Sequence, residues 1–357
     1  MNRCKSQMLS GEDLFVGIDI HKNRWHVTIR SFDVEVFSAS IPGVWEALHR
    51  VLARYAGHRL QVVYEAGYFG FRLHDQLLKE GIECLVTPPS LVPQEYGNRV
   101  KTDRRDSSKL AHLLAKGMLK RVWVPSEEEL YHRQVIRRRR QLVRDRVRTQ
   151  SRIKAELRFY GIQLEEPRGR WTQIYFETLR RLRFGNRWMQ ESFNRLLEQY
   201  ECLCAQIDKQ TELLRELSKT ALYQERLEIL QSIPGIGMIS AMELLLELQD
   251  VSRFRRAEQL AAYVGLTPSQ YSSADKVRMG RITGIGKNTL RAILVEASWQ
   301  LIAKDQLMRE KYDRIKIRSG GKRALVAIAR TLLLRMRRML LDGQVYTLPK
   351  GSLTIQV

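Results

Sequence analysis

Four carboxylates in this chain are placed where metal chemistry is possible. Asp19 stands at the end of an apolar run, Val16-Gly17-Ile18-Asp19-Ile20, and Glu65 ends another, Tyr64-Glu65-Ala66-Gly67. A carboxylate that ends a buried strand is costly without a counter-charge. If the two runs are neighbouring strands, both acids reach one sheet edge, and two unpaired acids side by side need a cation. An oxygen-lined site of this kind suits magnesium, Mg2+. Lys101-Thr102-Asp103-Arg104-Arg105-Asp106 adds two acids at i and i+3, on one face of a helix start. Read in isolation, Asp103 is a helix N-cap and Asp106 a first-turn acid favoured by the helix dipole. Four acids from three separate segments are what a two-metal phosphoryl-transfer site requires, with ions roughly 4 Å apart. His21, two residues past Asp19, has two readings, assistance to that acid or, the one favoured here, a capping or surface role.

A hydroxyl is the other candidate. Gly265 to Gly280 reads as a polar loop holding Ser269, Ser272 and Ser273. A serine becomes nucleophilic only beside a base, a metal or a cationic surround. Arg278, Arg281, Lys287 and Arg291 follow closely and can stabilise the charge that develops on a phosphorane. Two Gly-rich turns, Pro234-Gly235-Ile236-Gly237 and Gly284-Ile285-Gly286-Lys287, resemble helix-hairpin-helix elements. Gly235 and Gly237 would offer backbone N–H groups to a phosphate at a helix N-terminus. The alternative is a tight packing turn. Tyr131 to Tyr160 holds eleven Lys or Arg against two acids, Asp145 and Glu156. Arg137, Arg138, Arg139, Arg140, Arg144 and Arg148 lie in this stretch. Such a helix repels itself unless phosphates neutralise it, and affinity would then fall steeply with salt. Ser319-Gly320-Gly321-Lys322 lacks P-loop spacing.

The elements that must position these residues follow from pattern and composition. The 357 residues suit two or three domains, and 61 Lys or Arg against 39 Asp or Glu leave a net charge of +22. That excess selects polyanions, nucleic acid first, as partners. No run of about 18 uncharged apolar residues exists to span a membrane. The N-terminus lacks a signal-peptide core, so a cytoplasmic protein is expected. Cys4, Cys84, Cys202 and Cys204 show no zinc or CxxC spacing.

The first third reads as three strands (Leu14 to Asp19, Trp25 to Arg30, Val34 to Ser38) followed by alternation. The alternating pieces are a helix from Gly43, a strand Leu60 to Tyr64, a helix from Phe69, a strand Ile82 to Thr87 and a helix Asp106 to Lys116. This order predicts a mixed sheet with flanking helices. The middle third has no strand signal. Phe193, Leu196, Tyr200, Leu203, Ile207, Leu214 and Leu217 form a heptad seam with Gln210 at the skipped position. With the basic helix it predicts an antiparallel coiled coil, within a chain or between chains. The last third reads as helical, ending in Lys322 to Leu341. The domain plan is 12–125, 126–225 and 226–345, with a tail over 346–357.

The chain resembles the DEDD transposases of bacterial insertion sequences, the IS-one-ten type, relatives of the pilin-gene invertases, some of which are bridge-RNA-guided recombinases. The resemblance rests on Gly17-Ile18-Asp19, Tyr64-Glu65-Ala66-Gly67 and Lys101 to Asp106 in the first third. It continues in Ile233 to Gly237, Gly265-Leu266-Thr267-Pro268 and Asn288-Thr289-Leu290-Arg291. It implies a RuvC-like, RNase H-type α/β domain followed by a coiled coil and a mostly α domain. It implies that Asp19, Glu65, Asp103 and Asp106 bind magnesium and are catalytic. The family nucleophile is a serine in Tyr-x-Ser-Gly, which matches Ser273, with Ala274 in place of the glycine. It further implies element-end and target DNA, a noncoding guide RNA and a homo-oligomer, dimer or tetramer. Two rivals stay open at this point: a Holliday-junction-type nuclease using metal-activated water, and a non-catalytic nucleic-acid-binding protein.

Overall fold

The computed structural model describes residues 11–67, 69–94, 102–165, 167, 171–273 and 276–348. They fall into two compact units that meet in sequence at Pro125 and Ser126.

The first unit is built on strands β1 (Asp13–Ile20), β2 (Arg24–Arg30), β3 (Glu35–Pro42), β4 (Arg59–Glu65) and β5 (Glu83–Thr87). Helices α1 (Trp45–Leu52), α2 (Arg72–Lys79) and α3 (Asp103–Ala115) complete it. The five strands form one mixed sheet in the order β3-β2-β1-β4-β5. β2 pairs antiparallel with β1 and with β3, and β4 pairs parallel with β1 and with β5. The meander and the alternation expected from the sequence are both present. Leu14, Val16 and Ile18 point to one side of β1 and, with Val27, Ile29 and Leu48, are fully buried. Phe15 and Val63 face the opposite layer, where Leu110 and Leu114 of α3 cover them. A strand buried on both faces reads as a continuous apolar run, as β1 does.

The second unit is mostly helical. It comprises α4 (Glu127–Phe159), α5 (Gln173–Arg181), α6 (Arg187–Ser218), α7 (Gln224–Gln231), α8 (Met238–Leu248) and α9 (Ala257–Val264). A hairpin of β6 (Pro268–Ser273) and β7 (Lys276–Ile282) follows, then α10 (Asn288–Lys304), α11 (Gln306–Ser319) and α12 (Gly321–Asp342). The expected polar loop is therefore an antiparallel hairpin. β6 carries no apolar alternation and β7 alternates only over Lys276-Val277-Arg278-Met279, so the signal by which strands are read is weak here.

α4 and α6 pack antiparallel within one chain. Ile153 and Leu157 near the end of α4 share a core with Phe193, Leu197 and Tyr200 near the start of α6. At the other end, Arg139 Nε donates to Thr211 Oγ1 at 2.8 Å and Gln210 Nε2 donates to the Val135 carbonyl at 3.1 Å. The heptad needs one correction. Phe193, Tyr200, Ile207 and Leu214 are buried as expected, but the alternate buried positions are Leu197, Thr211 and Ser218, with Cys204 packed against the same core. Leu196, Leu203 and Leu217 flank the seam half-buried. At Thr211 the seam is polar because the hydroxyl accepts from Arg139 of α4; the Ser218 hydroxyl donates to the Arg215 carbonyl of its own helix. Ile136 and Leu214 also belong to the core formed by α7, α8, α10 and α12. The coiled coil and the C-terminal helices are thus one packed body.

Candidate functional site

The parallel register pairs Ile18 of β1 with Tyr64 of β4, which sets Asp19 and Glu65 side by side at the carboxyl ends of the two central strands. In open α/β sheets this edge is where ligand crevices form. α3 brings the remaining acids to it. Gly17 lets α3 lie directly on β1: an added Cβ would fall 2.0 Å from the Ser107 carbonyl oxygen and 2.6 Å from the Ala111 nitrogen. A buried 2.8 Å hydrogen bond between the Thr28 and Ser107 hydroxyls fixes the helix on the sheet. Thr102, not Asp103, caps α3, accepting from the Arg105 N–H at 3.3 Å. The capping role available to Asp103 is therefore taken, and its carboxylate is the first of the helix proper.

The Asp19, His21 and Asp103 ligand atoms all lie within 4.8 Å of one another. His21 Nε2 is 3.2 Å from Asp19 Oδ2 and 3.5 Å from Asp103 Oδ1. Burial raises the Asp19 carboxyl above its ordinary value; His21 works against the rise, and the charges of Asp103 and Asp106 add to it. Asp106 is thus near enough for its charge to act at Asp19, and Glu65 is the exposed register neighbour on β4. Two carboxylates and an imidazole around a common point, with further acids beside them, form a donor set that fits a divalent cation. His21 is the member that sequence reading set aside. It opens the turn into β2, where its N–H donates to the Arg24 carbonyl at 3.1 Å, and the only sequence signal for it was its nearness to Asp19.

Ser273 is the last residue of β6, paired in register with Lys276; Ser272 pairs with Val277. The Ala274 departure from the family pattern lies outside the described residues. Arg278 stands on β7 opposite Tyr271, and Arg281 is exposed near the end of that strand. Lys287 and Arg291 are tethered: Lys287 Nζ lies 3.5 Å from Glu247, and Arg291 donates to the Gly265 carbonyl at 3.2 Å and to Asn288.

The two Gly-rich turns differ. Pro234 to Gly237 joins α7 to α8, as a helix-hairpin-helix would. Gly235 has φ +87°, and a Cβ there would meet Gln300 Cβ at 2.7 Å, so this glycine is required by packing against α10. Gly237 is exposed at the start of α8. The second turn is preceded by a strand, not a helix, so the helix-hairpin-helix likeness stops at the first. Gly286 packs against Tyr263 and Gly265 instead.

The arginine run of α4 faces largely inward. Arg137 makes a two-pronged contact with Glu247, at 2.9 and 3.0 Å, and Arg140 pairs with Glu243. Arg133 Nε reaches the Leu246 carbonyl at 3.2 Å. Arg138, Arg144 and Arg148 are exposed, and Arg148 pairs with Asp145 at 3.2 Å. Part of the self-repulsion of this helix, at Arg133, Arg137 and Arg140, is relieved by two acids one turn apart on α8. Burial works to raise the Glu247 carboxyl, but the Arg137 hydrogen bond and the charges of Lys287, Arg137 and Arg133 outweigh it and hold it down to about 2. Its stabilisation is full above the ordinary carboxylate range and is lost as pH falls toward about 2. Glu247→Ala strands these cations and is expected to destabilise the second unit by about 3–5 kcal/mol at neutral pH. Urea unfolding at pH 7 and pH 3 checks this; an effect equally large at both would contradict it.

Among the described residues no helix is long and apolar enough to cross a membrane. Cys84, Cys202 and Cys204 are free thiols.

A DEDD transposase model of the IS110 type matches residues 16–162, which hold all four acids. A model described as the transposase IS116/IS110/IS902 family matches residues 227–313, which hold the serine hairpin. A putative transposase of Sinorhizobium fredii is 29% identical over 335 residues, covering 92% of this chain and 82% of its own. The transposase for insertion sequence element IS1533 of Leptospira borgpetersenii is 26% identical over 80% of this chain and 85% of its own. That for IS1111A of Coxiella burnetii is 26% identical over 69% and 67%. Both halves of the chain are thus matched, in order, by models of IS110-type transposases, and the chain is similar to transposases of insertion sequences over most of its length.

Proposed function

We propose that this transposase cuts and rejoins DNA at the ends of its insertion sequence, with Asp19, Glu65, Asp103 and Asp106 holding Mg2+ and the Ser273 hydroxyl as nucleophile. The observation that carries the reading is the meeting of Asp19 and Asp103, from elements far apart in sequence, at the carboxyl edge of the sheet. Magnesium bound there supplies Lewis-acid polarisation of the phosphodiester and charge relief at the leaving oxygen. Ser273 Oγ attacks phosphorus and gives its proton to solvent water, the P–O bond to the leaving strand end breaks, and the departing oxygen takes a proton from water to become a free hydroxyl end. The phosphoserine ester keeps the bond energy, so a free hydroxyl end of another strand displaces the serine without ATP. Arg278 and Arg281, on the same hairpin, stabilise the developing negative charge. The sheet order and the helix crossing β1 support a RuvC-like, RNase H-type catalytic domain over 12–125. The segment 126–225 serves as a basic coiled coil and 226–345 carries the serine; of the tail over 346–357, Tyr346 packs on the core of the second unit and 349–357 lie outside the described residues. The net charge of +22 supports a noncoding guide RNA as a second polyanion beside the DNA, within a homo-oligomeric synapse.

The test uses protein co-expressed with the element's RNA, labelled junction DNA and magnesium, read on a denaturing gel beside Ser273→Ala and Ser272→Ala. The expected result is a protease-sensitive shifted band that disappears only with Ser273→Ala. Cleaved strands with no adduct in any lane would replace the serine by metal-activated water.

A further inference from the structure

At the foot of the serine hairpin, the second unit opens a cleft of about 830 Å3, within the range of ~300–1,000 Å3 typical of ligand pockets. One wall is the hairpin, through Pro268, Gly280, Arg281 and Ile282; the other is the junction of α11 and α12. Its lining has two chemistries. Leu266, Ile282, Val326 and Ala327 make an apolar floor, and Arg281, Lys322, Arg323 and Arg330 supply cations with no acid among them.

The charges are the informative part. Several half-buried arginines elsewhere in this unit have partners. Arg137 and Arg140 have Glu247 and Glu243, Arg335 has Asp305 at 3.4 Å, and Arg337 donates to the Phe254 carbonyl at 2.7 Å. Arg281, Lys322, Arg323 and Arg330 make no ion pair or side-chain hydrogen bond with any described residue. Arg330 is half-buried in that condition. Four cations converge on one cavity with no acid in its lining, and the half-buried Arg330 is among them; that excess of positive charge points to an anionic occupant. α12 begins at the same place, with Gly320 as its cap residue and no capping side chain, so its first N–H groups add to the field.

An apolar floor under a cationic rim selects among polyanions. A duplex offers phosphates, but its bases are stacked and cannot reach a floor. An unpaired strand offers both, with a base on the apolar surface and its flanking phosphates on the cations. We propose that this cleft seats an unpaired nucleotide of single-stranded DNA, the strand that runs on along β6 toward Ser273. The inference rests on the reading of this chain as a DNA strand-cleaving transposase. It adds that the cut strand is held unpaired.

The experiment measures fluorescence anisotropy of the full chain with a labelled deoxythymidine oligomer, its duplex form and the matching RNA oligomer, across a salt series. Arg323→Ala/Arg330→Ala is expected to weaken single-stranded DNA binding at least tenfold. It should also flatten the salt slope by about 1.4, as expected for two lost phosphate contacts on a single strand. Duplex affinity should stay within about twofold, and Arg323→Lys/Arg330→Lys should keep most of the binding. Equal weakening of single strand and duplex, loss confined to RNA, or no change would each overturn the proposal. Should the alanine pair fail to fold, Lys322→Ala/Arg323→Ala, both exposed, is read by the same criteria. The serine adduct is assayed in the same preparations. An adduct in wild type with unchanged single-strand binding in the variants defeats the cleft alone, whereas no adduct in wild type defeats the recombination reading.

Discussion

Asp19→Asn is expected to reduce DNA strand cleavage about 10³-fold or more while leaving DNA binding within a few-fold. The substitution keeps the shape and removes the charge at the centre of the acid cluster, where Asp103 and His21 meet it. It also has an unusual signature in the metal-free protein. Because burial and the neighbouring acids raise the Asp19 carboxyl, the native state holds that proton more tightly than the unfolded chain. The associated stability is full below the ordinary carboxylate value of 3.8 and is lost as pH rises through the raised value. At neutral pH the ionised cluster is therefore a burden on the metal-free fold, and the asparagine variant should melt at the same temperature or higher. Added Mg2+ should raise the melting temperature of the wild-type chain and not of the variant. A wild-type melting temperature insensitive to divalent cations, or a variant that simply unfolds, would contradict the assignment. Activity lost with stability kept is the pattern of a site strained for function.

Gly17→Ala is the second large effect, and it acts through packing. The new Cβ would lie 2.0 Å from a backbone oxygen of α3, and neither strand nor helix backbone can swing aside as a flexible side chain would. α3 has to lift from β1, which strains the buried Thr28–Ser107 hydrogen bond and carries Asp103 and Asp106 away from Asp19. A cost of ~3 kcal/mol, at the upper end for overpacking, is expected. Unfolding of the N-terminal unit should come roughly 10 °C or more earlier. Gly67→Ala is the control, since a Cβ there meets nothing nearer than 3.9 Å and should shift stability by less than ~0.5 kcal/mol. Calorimetry with and without Mg2+ separates the two consequences. If Gly17→Ala is stable and retains the magnesium-dependent shift, α3 does not depend on this glycine for its position.

Much of the first unit was legible before any coordinates. Its strands are apolar runs bounded by glycine, proline or charge, and its helices carry helical spacing, so local pattern alone sets their order. Asp19 and Glu65 were visible for the same reason, since a carboxylate ending an apolar run stands out against its own neighbours; Asp103 and Asp106 were visible by their i, i+3 spacing at a helix start. His21 did not stand out, because a lone histidine becomes a ligand only through what the turn and α3 place beside it.

What sequence by itself determined was the inventory and the local conformation: the acids, the mixed α/β order, the long basic helix and its heptad partner, and the family. Tertiary structure decided which groups face one another. It turned Arg137 and Arg140 inward onto Glu247 and Glu243, contacts spanning more than a hundred residues that no local window contains. It chose Leu197, Thr211 and Ser218 over the leucines beside them as seam residues, since the opposing face of α4 sets the choice. It folded a polar stretch into the β6–β7 hairpin, where cross-strand pairing supplies what hydrophobic alternation did not. The division has a physical reason. Backbone preference and amphipathic period act between near neighbours, whereas charge pairing and close packing act between surfaces that exist only once the chain is folded.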